Sequence, residues 1–545
     1  MRNSLRFSCG LLAVTVAAFA APQPDSAPAA VEPTRTVRGI HLRTDRSLDF
    51  FSRETLLAGT MRPEMTDEEK AIAIWRLTNR RIWHFPRPDE NDPMRVLNVY
   101  GYALCGTIQR VMVWLAQGVW GQEGGGSAGL NSRPISDPRM YEIAAGGWLV
   151  DSMMRLGGRK PSSTGQVSTR MGHTWCQLYY GGRAAFLDAH AGFFVYTADG
   201  KHIASISEIA GDFTLVSDPV RTSEPFMPCD GGRPEFFYRC TGGARDKGLQ
   251  QTRHSMALTV RPGETLTFHF DKLPGAYFKR SRSWLKQWVP EFYADGPFHR
   301  CPGAGDGHWR HYGNGEIRFR PDLTKNGFRE SLAEFDNLAA PADSGNPGLR
   351  PARAGQPLRL AFGFETPYVM VGGEVEAEFE LPPGTTASLS LVSPVRGVRP
   401  QLLARAEGAE GKDRRQRLRG VMDLFEARYP YDARILIETT GGTDEAPPAL
   451  LDLDIRFVTQ LNFLTLPRLL PGPNTVHWSN APETAPEGTG LTLTWTWTET
   501  GGKERTDRRT ITASDTTYPL AVGTVDTQPE ENPKYMRHIE LHMPD

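Results

Sequence analysis

Cys105, His173 and Asp188 are the residues whose types and placement could do chemistry together. A thiol, an imidazole and a carboxylate in mutual hydrogen-bonding reach supply a nucleophile, a general base and an orienting group, the set that performs acyl transfer. The relation between the last two follows from local sequence. The stretch Gly172 to His190 has Gly181-Gly182 at its middle, a pair that adopts the positive φ values of a two-residue hairpin turn. A hairpin on that turn pairs Tyr180 with Arg183 and sets Trp175 opposite Asp188. Alternation along the strands then puts His173, Trp175 and Gln177 on one face with their partners His190, Asp188 and Phe186. Asp188 becomes the diagonal neighbour of His173, about 7–8 Å away at Cα and within side-chain reach. His190, directly opposite His173, is a rival partner, and together with Trp175 it is a candidate for lining the site.

The elements that must position these groups are legible in outline. Thr66 followed by Glu69 makes a capping box, and Ala71, Ile72, Ile74, Trp75 and Leu77 supply the apolar stripe of a helix of about four turns. A second helix begins at Cys105, where Cys105, Ile108, Met112 and Leu115 recur at three- and four-residue spacing. The thiol therefore sits at a helix N-terminus, which favours the thiolate. The segment from Gly118 to Gly147, rich in Gly and containing Pro134 and Pro138, reads as an insertion loop or lid, and Trp148 to Leu156 as a short helix. From residue 255 onward the pattern is of short strands: Thr265 to Phe270, Glu374 to Leu381, Ala387 to Val392, Ala433 to Ile437 and Leu451 to Val458. Leu491, Leu493, Trp495 and Trp497 alternate with threonines, a strand with one apolar face; a core face explains the two tryptophans better than sugar stacking.

The cysteine at a helix start, the Gly172-His173-Thr174-Trp175 strand and Leu187-Asp188-Ala189 on the next strand resemble the transglutaminase-like superfamily over residues 60–200. Glu69-Lys70-Ala71 on the preceding helix is similar as well. The resemblance implies an α+β papain/transglutaminase-like core, with Cys105 as nucleophile, His173 as base and Asp188 as orienter. It implies acyl transfer or hydrolysis at a peptide or protein amide through a Cys105 thioester. No cofactor is expected and no metal-ligand set is read from the sequence, which leaves calcium dependence open. The position of a papain-type glutamine, six residues before the cysteine, holds Val99. The oxyanion donors are then the Cys105 amide with Tyr102, Tyr100 or Trp83, of which Tyr102 ranks first. The alternative is a non-catalytic surface binding or adhesion protein that uses this core as a scaffold.

Composition bounds the rest. The chain has 545 residues, and 62 Lys plus Arg against 63 Asp plus Glu leave no field to attract nucleic acid. Residues 1–21 read as a cleaved secretory signal: Arg2 and Arg6, an apolar run too short to span a membrane, and Ala18-Phe19-Ala20 at its end. An extracytoplasmic protein is expected, periplasmic or secreted. Residues 22–59 read as leader and linker, 60–215 as the catalytic domain, 216–345 as a β-rich domain, 346–460 as a β-sandwich and 461–545 as a C-terminal β unit. The sandwiches would be Ig-like or jelly-roll domains, and a cell-surface glycan is a possible partner for them. Cys176, on the opposite strand face from His173, is expected to be buried and inert. Cys229 and Cys240 could form a local disulfide. His299, Cys301, His308 and His311 match no closed zinc pattern and read as a loop of polar and aromatic residues.

Overall fold

The structure, a computed structural model, describes residues 35–84, 88, 90–129, 174–189, 194–212, 214–217, 254–274, 276–280, 309–339, 348–393, 400–411, 413–422, 424, 432–484, 488, 490–527 and 533–545. Its first half carries the strands β1 (Val37–Thr44), β2 (Trp83–His84), β3 (Tyr102–Ala103), β4 (Gly125–Gly129), β5 (Thr174–Tyr180) and β6 (Arg183–Leu187). The principal helices are Arg53–Thr60, Asp67–Arg81 and Cys105–Trp120. The second half carries β7 (Leu258–Val260), β8 (Glu264–His269), β9 (Tyr277–Arg280), β10 (Trp309–Tyr312), β11 (Gly315–Phe319) and β12 (Leu332–Asp336). Next come β13 (Leu358–Glu365), β14 (Val369–Glu380), β15 (Thr386–Val392), β16 (Gln401–Glu407), β17 (Arg415–Met422) and β18 (Asp432–Thr440). The last are β19 (Ala449–Gln460), β20 (Gly472–Ser479), β21 (Thr492–Glu499), β22 (Lys503–Thr510), β23 (Asp515–Val522) and β24 (Met536–His542).

Strands from all three β segments of the sequence reading hydrogen-bond into one eight-stranded sheet, in the order β17-β14-β19-β11-β8-β24-β21-β22. A five-stranded sheet, β12-β13-β18-β15-β16, packs on its first half: Phe319 of β11 meets Phe362 and Phe364 of β13 at 5.5 and 5.6 Å, and Phe364 meets Phe457 of β19 at 4.9 Å. A four-stranded sheet, β23-β20-β1-β7, covers the second half, where Trp495 donates its indole N–H to the Tyr518 hydroxyl at 3.1 Å. Two sandwiches thus share a continuous sheet. The period-two sequence explains each layer. In β14, Val375, Ala377 and Phe379 are buried, while Glu374, Glu376 and Glu378 point outward and pair with Arg415, Arg417 and Arg419 of the edge strand β17. Such exposed pairs contribute little stability, but an arginine-rich edge discourages pairing with another chain. Trp495 and Trp497 are buried, on the core face.

Two segments differ from the sequence reading. Residues 37–60, expected within a leader and linker, form β1 and a capped helix; β1 pairs with β20 and β7, strands so distant in sequence that no local pattern marks it. Part of the Gly-rich segment expected as an insertion loop is regular: the Cys105 helix runs on to Trp120, and Gly125–Gly129 pairs antiparallel with β5. Backbone hydrogen bonds suffice to make that strand, so it carries no side-chain signature. Residues 148–156 and the pair Cys229 and Cys240 lie outside the described residues. Among the described residues no helix is long and apolar enough to cross a membrane. Truncating Phe364 to Ala should remove the ring that joins the sheets and cost about 3–5 kcal/mol in denaturant unfolding.

Candidate functional site

Cys105 is the first residue of its helix, and Leu104 at the N-cap supplies no side-chain acceptor. The helix closes on Leu104 through the amides of Thr107 and Ile108, at 2.9 and 3.0 Å. No side-chain cap covers the helix start, and the positive end of the helix dipole lies at Cys105. Thr107 donates its hydroxyl to Asn91 at 2.9 Å, fixing the helix start against the preceding loop.

The hairpin has the register expected from its turn. Gly181 and Gly182 have φ of 56° and 78°, and the β5–β6 ladder runs from Tyr180↔Arg183 to Cys176↔Leu187. Asp188 follows β6 directly. The Asp67–Arg81 helix clamps this strand end: Trp75 donates its indole N–H to the Asp188 carbonyl at 3.0 Å, and Asn79 its amide to the Ala189 carbonyl at 2.7 Å. The capping box of that helix forms as its sequence predicts, Thr66 with Glu69.

The Asp188 carboxylate is buried and accepts a hydrogen bond from Gln109 Nε2 at 3.2 Å. Gln109 lies one turn beyond Cys105, on the same helix face, so the helix that carries the thiol also holds the carboxylate. No reading of the hairpin alone includes this residue. The available signal is a glutamine one turn after the cysteine, among the apolar positions of the buried stripe. Its other amide atom, Oε1, is buried with no hydrogen-bond partner among the described residues. His173 and His190 lie outside the described residues, and the side chains of Cys105 and Trp175 are likewise not described.

Cys176 is fully buried, and its thiol is pushed well above the ordinary range by desolvation and then by the nearby Asp188 charge. It stays protonated at neutral pH. The Tyr180 ring, on the same strand face, stacks on Trp120 of the Cys105 helix at 5.4 Å.

Tyr102 has a definite hydrogen-bond environment. Its hydroxyl lies 3.2 Å from Gln460 Nε2 and 3.5 Å from His311 Nδ1, with all three residues buried. The amide orientation of Gln460 is set by its neighbours: Oε1 accepts from the Tyr312 amide at 3.3 Å, so Nε2 is the donor to Tyr102. His311 Nδ1, 3.0 Å from the same Oε1, must then carry a proton. The Tyr102 oxygen is an acceptor toward Gln460, which strengthens the O–H as a donor in another direction. His311, expected in a loop, is in β10; His299, Cys301 and His308 lie outside the described residues. Among the described residues no group of His, Cys, Asp or Glu is arranged to hold a metal ion.

No family model and no curated protein matches the sequence. Among solved structures, a family 29 carbohydrate-binding module from Piromyces equi is 13% identical, covering 22% of this chain and 76% of its own, with a TM-score of 0.17. An isomalto-dextranase from Arthrobacter globiformis, determined with panose, is 12% identical over 36% of this chain and 35% of its own, at 0.18. An FMN-binding β-glucuronidase from Facaelibacterium prausnitzii is 12% identical over 42% of this chain and 37% of its own, at 0.15. The chain thus spans about a third of each of these two enzymes.

Two outcomes follow from the site. Cys176 should resist iodoacetamide in the folded protein even at pH 9 and react only after denaturation, as read by peptide mapping. Replacing Gln109 with Met should leave the Asp188 carboxylate without its helix-borne donor and destabilise the fold by about 1–3 kcal/mol in thermal or urea unfolding.

Proposed function

We propose that this chain is a transglutaminase-like cysteine enzyme that performs acyl transfer or hydrolysis at peptide or protein amides through a Cys105 thioester. The observation that carries the reading is the shared mounting of two of its groups: Cys105 opens an uncapped helix, and the Asp188 carboxylate is held by Gln109 of that same helix at 3.2 Å. In this reading the buried carboxylate, tied to the nucleophile's helix, orients an imidazole and stabilises its charged form. His173, immediately before β5, is the base in this proposal.

In the reaction, His173 takes the Cys105 proton and the thiolate attacks the amide carbonyl carbon. The tetrahedral oxyanion is met by the Cys105 amide and by the Tyr102 hydroxyl. The C–N bond breaks as His173 returns the proton to the departing amine, leaving the thioester. Water, or an amine, then attacks the thioester with His173 as base, and thiolate leaves. Hydrolysis is the preferred outcome for an enzyme outside the cytoplasm, where residues 1–21 would direct it.

A screen comparing amide hydrolysis with amine incorporation tests the proposal. Cys105→Ala should abolish the activity found, and Asp188→Asn should lower it roughly thousand- to ten-thousand-fold, since the imidazole then loses its orienting charge. Undiminished turnover by Cys105→Ala would exclude the thioester route and favour the scaffold reading instead.

A further inference from the structure

The chain enters the Cys105 helix through a buried π turn, Val96–Tyr100, which ends when Gly101 adopts φ +66° and donates its amide to the Val96 carbonyl at 2.9 Å. Leaving a helix this way strands the last carbonyls, here those of Leu97, Asn98, Val99 and Tyr100. The first three are met in order by donors from the distant β region. Asn462 Nδ2 donates to Leu97 O at 2.7 Å and the Asn462 amide to Asn98 O at 2.8 Å. Gln460 Nε2 donates to Val99 O at 3.4 Å. The Tyr312 hydroxyl, whose proton goes to Leu461 O at 2.9 Å, lies 3.4 Å from Tyr100 O.

The contact is also close. A Cβ at Gly101 would stand 2.7 Å from Asn462 Cγ, so a glycine is required by space as well as by φ. Asn462 Nδ2 also reaches the Arg81 carbonyl at 2.9 Å, joining the Asp67–Arg81 helix to the same point. Gln460 and Asn462 are themselves held rigidly: Asn462 Oδ1 accepts from the Leu464 amide at 3.1 Å, and the intervening Leu461 accepts from the Tyr312 hydroxyl at 2.9 Å. The same Gln460 amide group that caps Val99 donates to Tyr102, three residues before Cys105.

We propose that Gln460 and Asn462, at the end of β19, are positioning residues for the Cys105 centre, so that the β-sandwich part of the chain sets the reactivity of the cysteine. This rests on the reading of Cys105 as a nucleophile. The capped π turn fixes where the Cys105 helix begins and in which direction the Tyr102 hydroxyl is polarised; without those donors the turn relaxes, and the helix start loses its aim. A role confined to stability would change the unfolding temperature and leave the cysteine of the folded protein unchanged.

The test is the pH dependence of Cys105 alkylation by iodoacetamide, followed on the Cys105 peptide by mass spectrometry in the full-length chain. Gln460→Met keeps the side-chain length and removes both donors; Gln460→Glu keeps the oxygen that faces His311 and removes the donors. In folded variants the alkylation midpoint should move up toward that of an ordinary thiol, and the rate at pH 7 should fall roughly tenfold, the effect of about one pKa unit. Wild-type Cys105 titrating as an ordinary thiol would remove the enzyme reading itself. A depressed wild-type midpoint that the variants share would overturn the positioning role alone. In the wild-type chain, hydrogen exchange at the Gly101 amide should be as slow as in the core; exchange at the rate of an open loop would overturn the inference without any variant.

Discussion

The carbonyl groups at the end of one buried π turn must find donors, and those of Leu97, Asn98 and Val99 find them on residues more than two hundred positions away in the chain. An unmet carbonyl in that interior costs about 1–3 kcal/mol, so the turn and the donors cannot be chosen separately. The turn sets the start of the Cys105 helix, that helix holds Asp188 through Gln109, and the hairpin carrying Asp188 is clamped by Trp75 and Asn79. The candidate site is therefore a consequence of how the β region closes on the helical segment.

The β region can impose this because it is stiff. Its eight-stranded sheet is held from both halves by covering sheets, with Phe319, Phe362, Phe364 and Phe457 interlocked on one side and Trp495 bonded to Tyr518 on the other. β19 lies inside that sheet, between β14 and β11, and Gln460 is its last residue. A donor mounted at the end of a central strand has little freedom to drift, which suits a group that must satisfy two acceptors at once.

What could be read from sequence is what local chemistry determines. Gly181-Gly182 requires a two-residue turn, and the register from Tyr180↔Arg183 follows from it. Thr66 and Glu69 mark one helix start, and the stripe from Cys105 marks another. The alternating glutamates of β14 and the Thr-Trp alternation of β21 declare strands with one buried face. The rest was not legible for physical reasons. Gln109 looks like any polar helix residue until its partner Asp188 is brought near in space. Gly125–Gly129 pairs through backbone alone, and β1 is a strand because β20 and β7 lie on either side of it. Asn462 and Gln460 carry no motif, since most of their acceptors are carbonyls, which every residue possesses.

Acyl-enzyme formation at Cys105, as proposed, is read most directly by a burst experiment with an activated ester such as p-nitrophenyl acetate at neutral pH. A nucleophilic Cys105 should give a rapid release of about one equivalent of p-nitrophenolate and an acetyl group on the Cys105 peptide, followed by slower turnover as water resolves the thioester. No burst, with acetyl groups spread over exposed side chains and absent from Cys105, would contradict it.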